Sequence, residues 1–144
     1  SSERGITHRS GATPITRMNG TIGDGNGMSG PWVSIYRQIK SIDDFRFPAP
    51  SDALVFQEEH PDSINDPYCY PPDRTHWLDL PGNLHENGMT AAFADGHIEL
   101  HQWQSSIRNK PVRYWSSFPT SARTGDADIS WLSYHSSRRS EDHF

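Results

Sequence analysis

A single cysteine, Cys69, stands in this chain of 144 residues. That scarcity excludes an internal disulfide framework and a thiolate zinc finger, and it leaves the redox compartment open. Basic residues are also few: 13 Lys and Arg face 18 Asp and Glu, for a formal net charge of -5. The arginines are scattered, so the chain lacks the basic footprint that nucleic acid requires. No apolar run approaches the roughly 20 residues that span a bilayer. Residues 1–10 lack the charged-then-apolar order of a signal peptide, so no membrane contact is expected of the chain as given.

Aliphatic residues are short as well. Leu, Ile, Val and Phe make up 25 of 144 residues and mean hydropathy is -0.79, a composition that would mark disorder if net charge were high. It is not high, and five Trp, five Tyr and six Phe can bury a large area each. The expectation is one loop-rich domain over residues 1–144.

Along the chain, residues 1–31 hold seven Gly and two Pro and read as an irregular segment. Its glycines look superficially like a phosphate loop, but no Gly-Lys-Ser/Thr ending follows and no apolar strand precedes. Between Trp32 and Phe47, the residues Trp32, Ile35, Ile39 and Ile42 fit a helical stripe, while Val33, Ile35 and Arg37 fit a strand equally well. Ser41 followed by Ile42-Asp43-Asp44 reads as a capped turn of helix, stopped by Pro48 and Pro50. Ala53 to Glu58 reads as a buried strand. His60 to Asn83, with five Pro, reads as a long ordered loop anchored by Trp77, Leu78 and Leu80.

The clearest local signal is a hairpin over residues 89–103, with Asp95-Gly96 as a two-residue type I′ turn. That turn sets Phe93 opposite Ile98, Ala91 opposite Leu100 and Thr90 opposite His101. Phe93, Ile98, Ala91 and Leu100 would then share the core face, with His97, Glu99 and His101 on the polar side. Asp126 to His135 reads as a capped short helix near 127–135 with Ile129, Leu132 and Tyr134 turned inward, and residues 136–144 as a frayed tail. The fold class expected is α+β, β-dominated and loop-rich.

Two polar clusters could carry chemistry. Glu58, Glu59, His60, Asp62, Asn65 and Asp66 gather oxygen donors within nine residues, as a calcium ion would want, or build a turn network with no ion. His85, Asp95, His97, Glu99 and His101 form the second. Strand spacing holds His97 and His101 too far apart to share one ion, so a zinc-type site would join His85 or His60 to Asp95 or His97. The alternative is a polar lock in which His85 or His60 ties the long loop to the Asp95 end of the hairpin. The oxygen-rich set favours calcium over zinc as a structural ion. No Gly-x-Ser-x-Gly elbow occurs, and Cys69, between tyrosines and prolines, is expected to be buried and inert. A catalytic role is therefore not expected. A metal-dependent hydrolase built on the two clusters, and a surface carbohydrate-binding module using exposed Trp, are the rival readings.

A wider order of residues links these segments: Arg17-Met18-Asn19-Gly20, Ser51 to Phe56, Glu58-Glu59-His60-Pro61-Asp62-Ser63-Ile64-Asn65-Asp66, Asp79-Leu80-Pro81, His85 with nine residues before Asp95-Gly96-His97, and Asp128-Ile129-Ser130-Trp131-Leu132. This order resembles the type IV pilin-like, or type II secretion pseudopilin-like, proteins with a prepilin N-terminus and a C-terminal His-nine-Asp-Gly domain, common in planctomycetes. The resemblance covers roughly residues 17–135. It implies an antiparallel sheet packed on the C-terminal half of a long N-terminal helix, and a structural subunit of an envelope-associated or extracellular assembly. Its partners would be other copies of itself or other pilin-like envelope proteins. The chain as given starts Ser1-Ser2-Glu3-Arg4 and departs from the family at that helix. The resemblance then implies a head domain freed by cleavage or truncation, or a member that assembles by another route.

Overall fold

The computed structural model describes residues 15–23, 36–65, 67–114 and 120–137. Its strands are β1 (Ile15–Asn19), β2 (Leu54–Glu59), β3 (Tyr68–Cys69), β4 (His76–Trp77), β5 (Gly88–Phe93), β6 (Ile98–Gln102) and β7 (Thr120–Ser121), followed by one helix, α1 (Ala127–Ser136). Five strands form a sheet in the order β3-β1-β2-β5-β6, and β4 pairs with β7 separately. All neighbours in the large sheet are antiparallel except β1 and β3. The chain is thus α+β, strand-rich and loop-rich, with a short C-terminal helix, as its sequence leads one to expect. Among the described residues, no helix is long and apolar enough to cross a membrane.

Aromatics and a few aliphatics make the core. Leu54, Trp77, Leu80, Met89, Ala91, Phe93, Trp103, Ile107, Ile129 and Leu132 pack together between one face of the sheet, α1 and the long loop. Trp77 and Trp103 meet edge to face at 6.3 Å between ring centroids, and Trp103 donates its indole N–H to the Gly82 carbonyl at 2.7 Å. Such a buried ring needs a partner for its one polar atom. Helix α1 starts where Asp126 accepts the N–H groups of Asp128 (2.9 Å) and Ile129 (3.2 Å), satisfying two of the helix's orphan donors.

Three expectations need correction. The hairpin exists, but its loop is one residue longer: Phe93 N–H donates to the His97 carbonyl, Gly96 N–H donates to the Phe93 carbonyl, and Gly96 sits at φ 93°. Asp95 has no positive φ, so the turn is not type I′ but a three-residue loop closed by a left-handed glycine. The pairing becomes Ala92 with Ile98, Ala91 with Glu99, Thr90 with Leu100 and Met89 with His101. A slip of one residue moves every β6 side chain to the other face. His97, Glu99 and His101 therefore join Phe93, Ala91 and Met89 on the core face, while Ile98 (68 % exposed) and Leu100 (49 %) face solvent.

The second correction is β1, which lies inside residues 1–31. Its sequence, Ile-Thr-Arg-Met-Asn, has weak alternation, and tertiary pairing on both sides overrides that. The rest of that segment lies mostly outside the described residues. The third is the start of the expected tail. Ser136 and Ser137 are buried, and the Ser136 carbonyl accepts from Asn19 Nδ2 (3.1 Å) and Thr21 Oγ1 (2.7 Å). Residues 138–144 lie outside the described residues, as do Trp32 and Ile35 of the ambiguous stripe. Ile39 forms a parallel bridge with Ile22, and Ile42–Asp44 makes the short 3-10 turn expected after Ser41, with Asp44 Oδ2 accepting the Ser41 N–H at 3.1 Å.

Candidate functional site

Strand β2 ends in Gln57-Glu58-Glu59, three buried polar residues in a row, and the strand period sends them to alternate faces. Glu58 points away from the aromatic core. Its Oε2 meets His85 Nδ1 at 2.9 Å and accepts the Thr90 N–H at 2.9 Å, so one carboxylate ties the loop before β5 to the sheet. Gly82 passes directly beneath it: an added Cβ there would lie 2.9 Å from Glu58 Cβ.

Glu59, on the core face, is fully buried. Its Oε1 accepts from Ser63 Oγ at 2.7 Å and its Oε2 lies 3.4 Å from Arg17 Nε. Cys69 Sγ and a carboxylate oxygen of Asp79 lie close by, with one ligand atom from each of the three residues within 4.8 Å of the others. Gln57 Nε2 donates to Cys69 Sγ at 2.7 Å, and Asp79 Oδ2 accepts the Tyr70 N–H at 2.8 Å. Among the described residues this is the one group of three such side chains with the reach to hold an ion. A thiolate with two carboxylates is a donor set for zinc-like ions, not for calcium, which takes oxygen alone. Arg17 already supplies a positive charge against it.

His60 is fully buried, its Nδ1 accepting the Asp62 N–H (3.1 Å) and its Nε2 meeting the Lys110 carbonyl (3.2 Å). Asp62 Oδ1 in turn accepts the N–H groups of Arg113 (2.9 Å) and Tyr114 (2.6 Å). Asn65 is exposed, and Asp66 lies outside the described residues. Asp95 and His97 hydrogen-bond each other in the hairpin loop, and His97 Nε2 lies 3.4 Å from Glu99 Oε1. Backbone donation from the His97 N–H, then the imidazole itself, hold the Asp95 carboxyl below its ordinary pKa, and the same hydrogen bond raises that of His97.

The sequence-derived candidates thus resolve into separate pairs: Glu58 with His85, His60 with Asp62, Asp95 with His97. His85 reaches β2 and His60 reaches Lys110; neither forms the expected tie to the Asp95 end of the hairpin. Sequence proximity does not join Cys69 and Asp79 to Glu59, since 10 and 20 residues separate them. For Asp79 the signal is the Asp79-Leu80-Pro81 string, which stands apart from both polar clusters; Cys69 carries no such signal.

A further cluster escaped the sequence for the reason that moved β6. His101 stacks on Trp131 with ring centroids 3.6 Å apart, Trp131 lies 4.4 Å from His135, and Phe93 stacks on His97 at 4.4 Å. Burial lowers the His101 pKa, because a half-buried imidazole between indoles is costly to charge. Chemically, the Glu58–His85, His60–Asp62 and Glu59–Ser63 contacts are locks that hold loops against the sheet, while His101 is held by ring stacking. In comparisons with known proteins, the chain matches no family model, no curated protein and no solved structure.

Proposed function

We propose that this chain is the head domain of a pilin-like or pseudopilin-like structural subunit in an envelope-associated or extracellular assembly. The observation that carries this reading is the asymmetry of the sheet. One face is covered by α1 and the aromatic core, while the other presents Phe56, Ile98 and Leu100 to solvent beside half-buried Met18 and Ala92. A contiguous apolar sheet face marks an interaction surface. In a pilin-like subunit its occupant is the C-terminal half of the long N-terminal helix. The polar residues that carry the resemblance support the same reading, since Arg17, Asn19, Glu58, Glu59, His60, Asp62, Asp79 and Asp128 are engaged in fixing loops.

The test is to place Lys at Phe56 or Leu100 and express each variant in cells that make the assembly. Both should keep the melting temperature of the unaltered head and be recovered as free subunits. Assembly at the unaltered level would remove the proposal. Hydrolysis of an ester, peptide or glycan, lost in His85→Ala without loss of fold, would favour the metal-dependent hydrolase instead.

A further inference from the structure

None of the 18 Asp and Glu lies between Glu99 and Asp126, whereas four of the 13 Lys and Arg do: Arg108, Lys110, Arg113 and Arg123. The first three fall within one short loop that leaves the core at Ile107. The fold holds this loop by its backbone. Asn83 Nδ2 donates to the Ile107 and Lys110 carbonyls at 2.8 Å each, His60 Nε2 meets the Lys110 carbonyl at 3.2 Å, and Asp62 Oδ1 accepts the N–H groups of Arg113 and Tyr114. Arg108 and Arg113 are exposed and Lys110 is half-buried. Among the described residues, none of the three pairs with a carboxylate. Asp62 is buried behind the loop, its Oδ1 taken up by the two backbone donors.

Tyr114 supplies a second, independent observation. Its side chain is 69 % exposed, and its φ of 59° lies in the left-handed region that a bulky residue adopts only under strain. The bond from its N–H to Asp62 (2.6 Å) maintains that conformation. An exposed aromatic residue on strained backbone, next in the chain to an unpaired guanidinium, contributes nothing to the core. Strain of this kind collects at ligand sites.

We propose that the loop 108–114 binds an acidic polysaccharide, a chain of sugars that carry carboxylates. The chemistry of the loop selects this class. A guanidinium takes a carboxylate through two parallel hydrogen bonds, and an ammonium adds a compact point charge. An exposed tyrosine offers an apolar ring face for the C–H face of a sugar and a polar tip for its hydroxyls. Nucleic acid is too densely charged to approach a chain of net charge -5 on three cations, whereas a polyuronate bears its charges at least a sugar unit apart. An anionic membrane surface is held by clusters of about 4–8 cations, more than this loop presents. The site is a loop and not the apolar sheet face, so it stands whether or not that face receives a helix.

The test is calorimetric titration of the full chain with oligogalacturonate at low and at physiological salt. Binding should appear, weaken as salt rises, and fall about tenfold in each of Arg113→Gln and Tyr114→Ala, with melting temperatures unchanged. Fully methyl-esterified oligogalacturonate, which keeps the sugars and loses the charge, should not bind. Tyr114→Gly relieves the left-handed backbone, so it should weaken binding while the melting temperature holds or rises. A tyrosine kept for stability alone would give the opposite. Failure of oligogalacturonate to bind would overturn the proposal. So would equal binding of polyphosphate or single-stranded DNA with no effect of Tyr114→Ala, which would mean a charge patch without sugar recognition. Binding to phosphatidylserine vesicles in place of the glycan would overturn it too.

Discussion

Gly88 and Gly96 belong to the same hairpin and are required for different reasons. At Gly88 a Cβ would lie 2.0 Å from the His101 carbonyl oxygen, so any side chain there pushes β5 and β6 apart. At Gly96 nothing lies within 4 Å, and the requirement is the φ of 93° alone. Gly96→Ala should therefore cost about 1–2 kcal/mol, the strain of one left-handed residue, and Gly88→Ala distinctly more, read as urea midpoints. Equal losses would contradict the assignment. Arg17→Ala should cost on the order of 3 kcal/mol, because it leaves the buried Glu59 carboxylate without its guanidinium. The imidazoles separate in sign. His97, raised by its hydrogen bond to Asp95, contributes stability that is complete below the ordinary histidine value and lost as pH rises through its folded value. His101, lowered by burial, contributes stability present above the ordinary value and lost as pH falls. NMR titration should place the two midpoints on opposite sides of about 6.5. His101→Phe, which keeps a ring against Trp131, should flatten the loss of stability between about pH 7 and 5. Coincident midpoints would refute the burial of His101.

Among the elements, α1 and the existence of the hairpin were legible because each rests on local chemistry. Asp126 before Ile129 and Leu132 is a cap followed by an apolar spacing, and Asp95-Gly96 between two apolar runs is a turn. Asp126→Ala should cost about 1 kcal/mol, a lost N-cap, and Leu132→Ala about 2–5 kcal/mol, a cavity under the helix. Denaturant titration checks both, and a larger loss at Asp126 would mean that the helix is held by its cap and not by its packing. The register of β6 was not legible. Both registers put one coherent set of residues inward, and the choice turned on a single loop residue, Ala94, together with the aromatic shelf of Trp131 and Trp103 that receives His101. Apolar pattern favoured Ile98 and Leu100 for the core, and tertiary stacking took the imidazole instead. Strand β1 was hidden for a related reason, since its apolar content is slight and its neighbours β2 and β3 lie 35 or more residues away. The pairing of Glu58 with His85 and the meeting of Glu59, Cys69 and Asp79 depend on those same long-range contacts.

For the molecule as a whole, few aliphatic residues are offset by polar side chains that fasten loops to the sheet. Asn83 Nδ2 donates to the Ile107 and Lys110 carbonyls at 2.8 Å each, and Asp128 accepts from Gln104 N–H and Ser105 N–H at 3.0 and 2.7 Å. If hydrogen bonds and Arg17 alone hold Glu59, Cys69 and Asp79, a chelator should leave the melting temperature unchanged. A fall restored by zinc would instead identify a structural ion there, with stabilisation of about 2.7 kcal/mol at a hundredfold excess over Kd. If the domain is a building unit, as proposed, the most direct measurement is the native mass of the protein taken from its own cells without denaturation. The expected result is a high-mass, regularly repeating assembly in the envelope or extracellular fraction that contains this chain in many copies. Recovery as a free monomer or dimer, in a fraction that carries a metal-dependent hydrolytic activity, would contradict it.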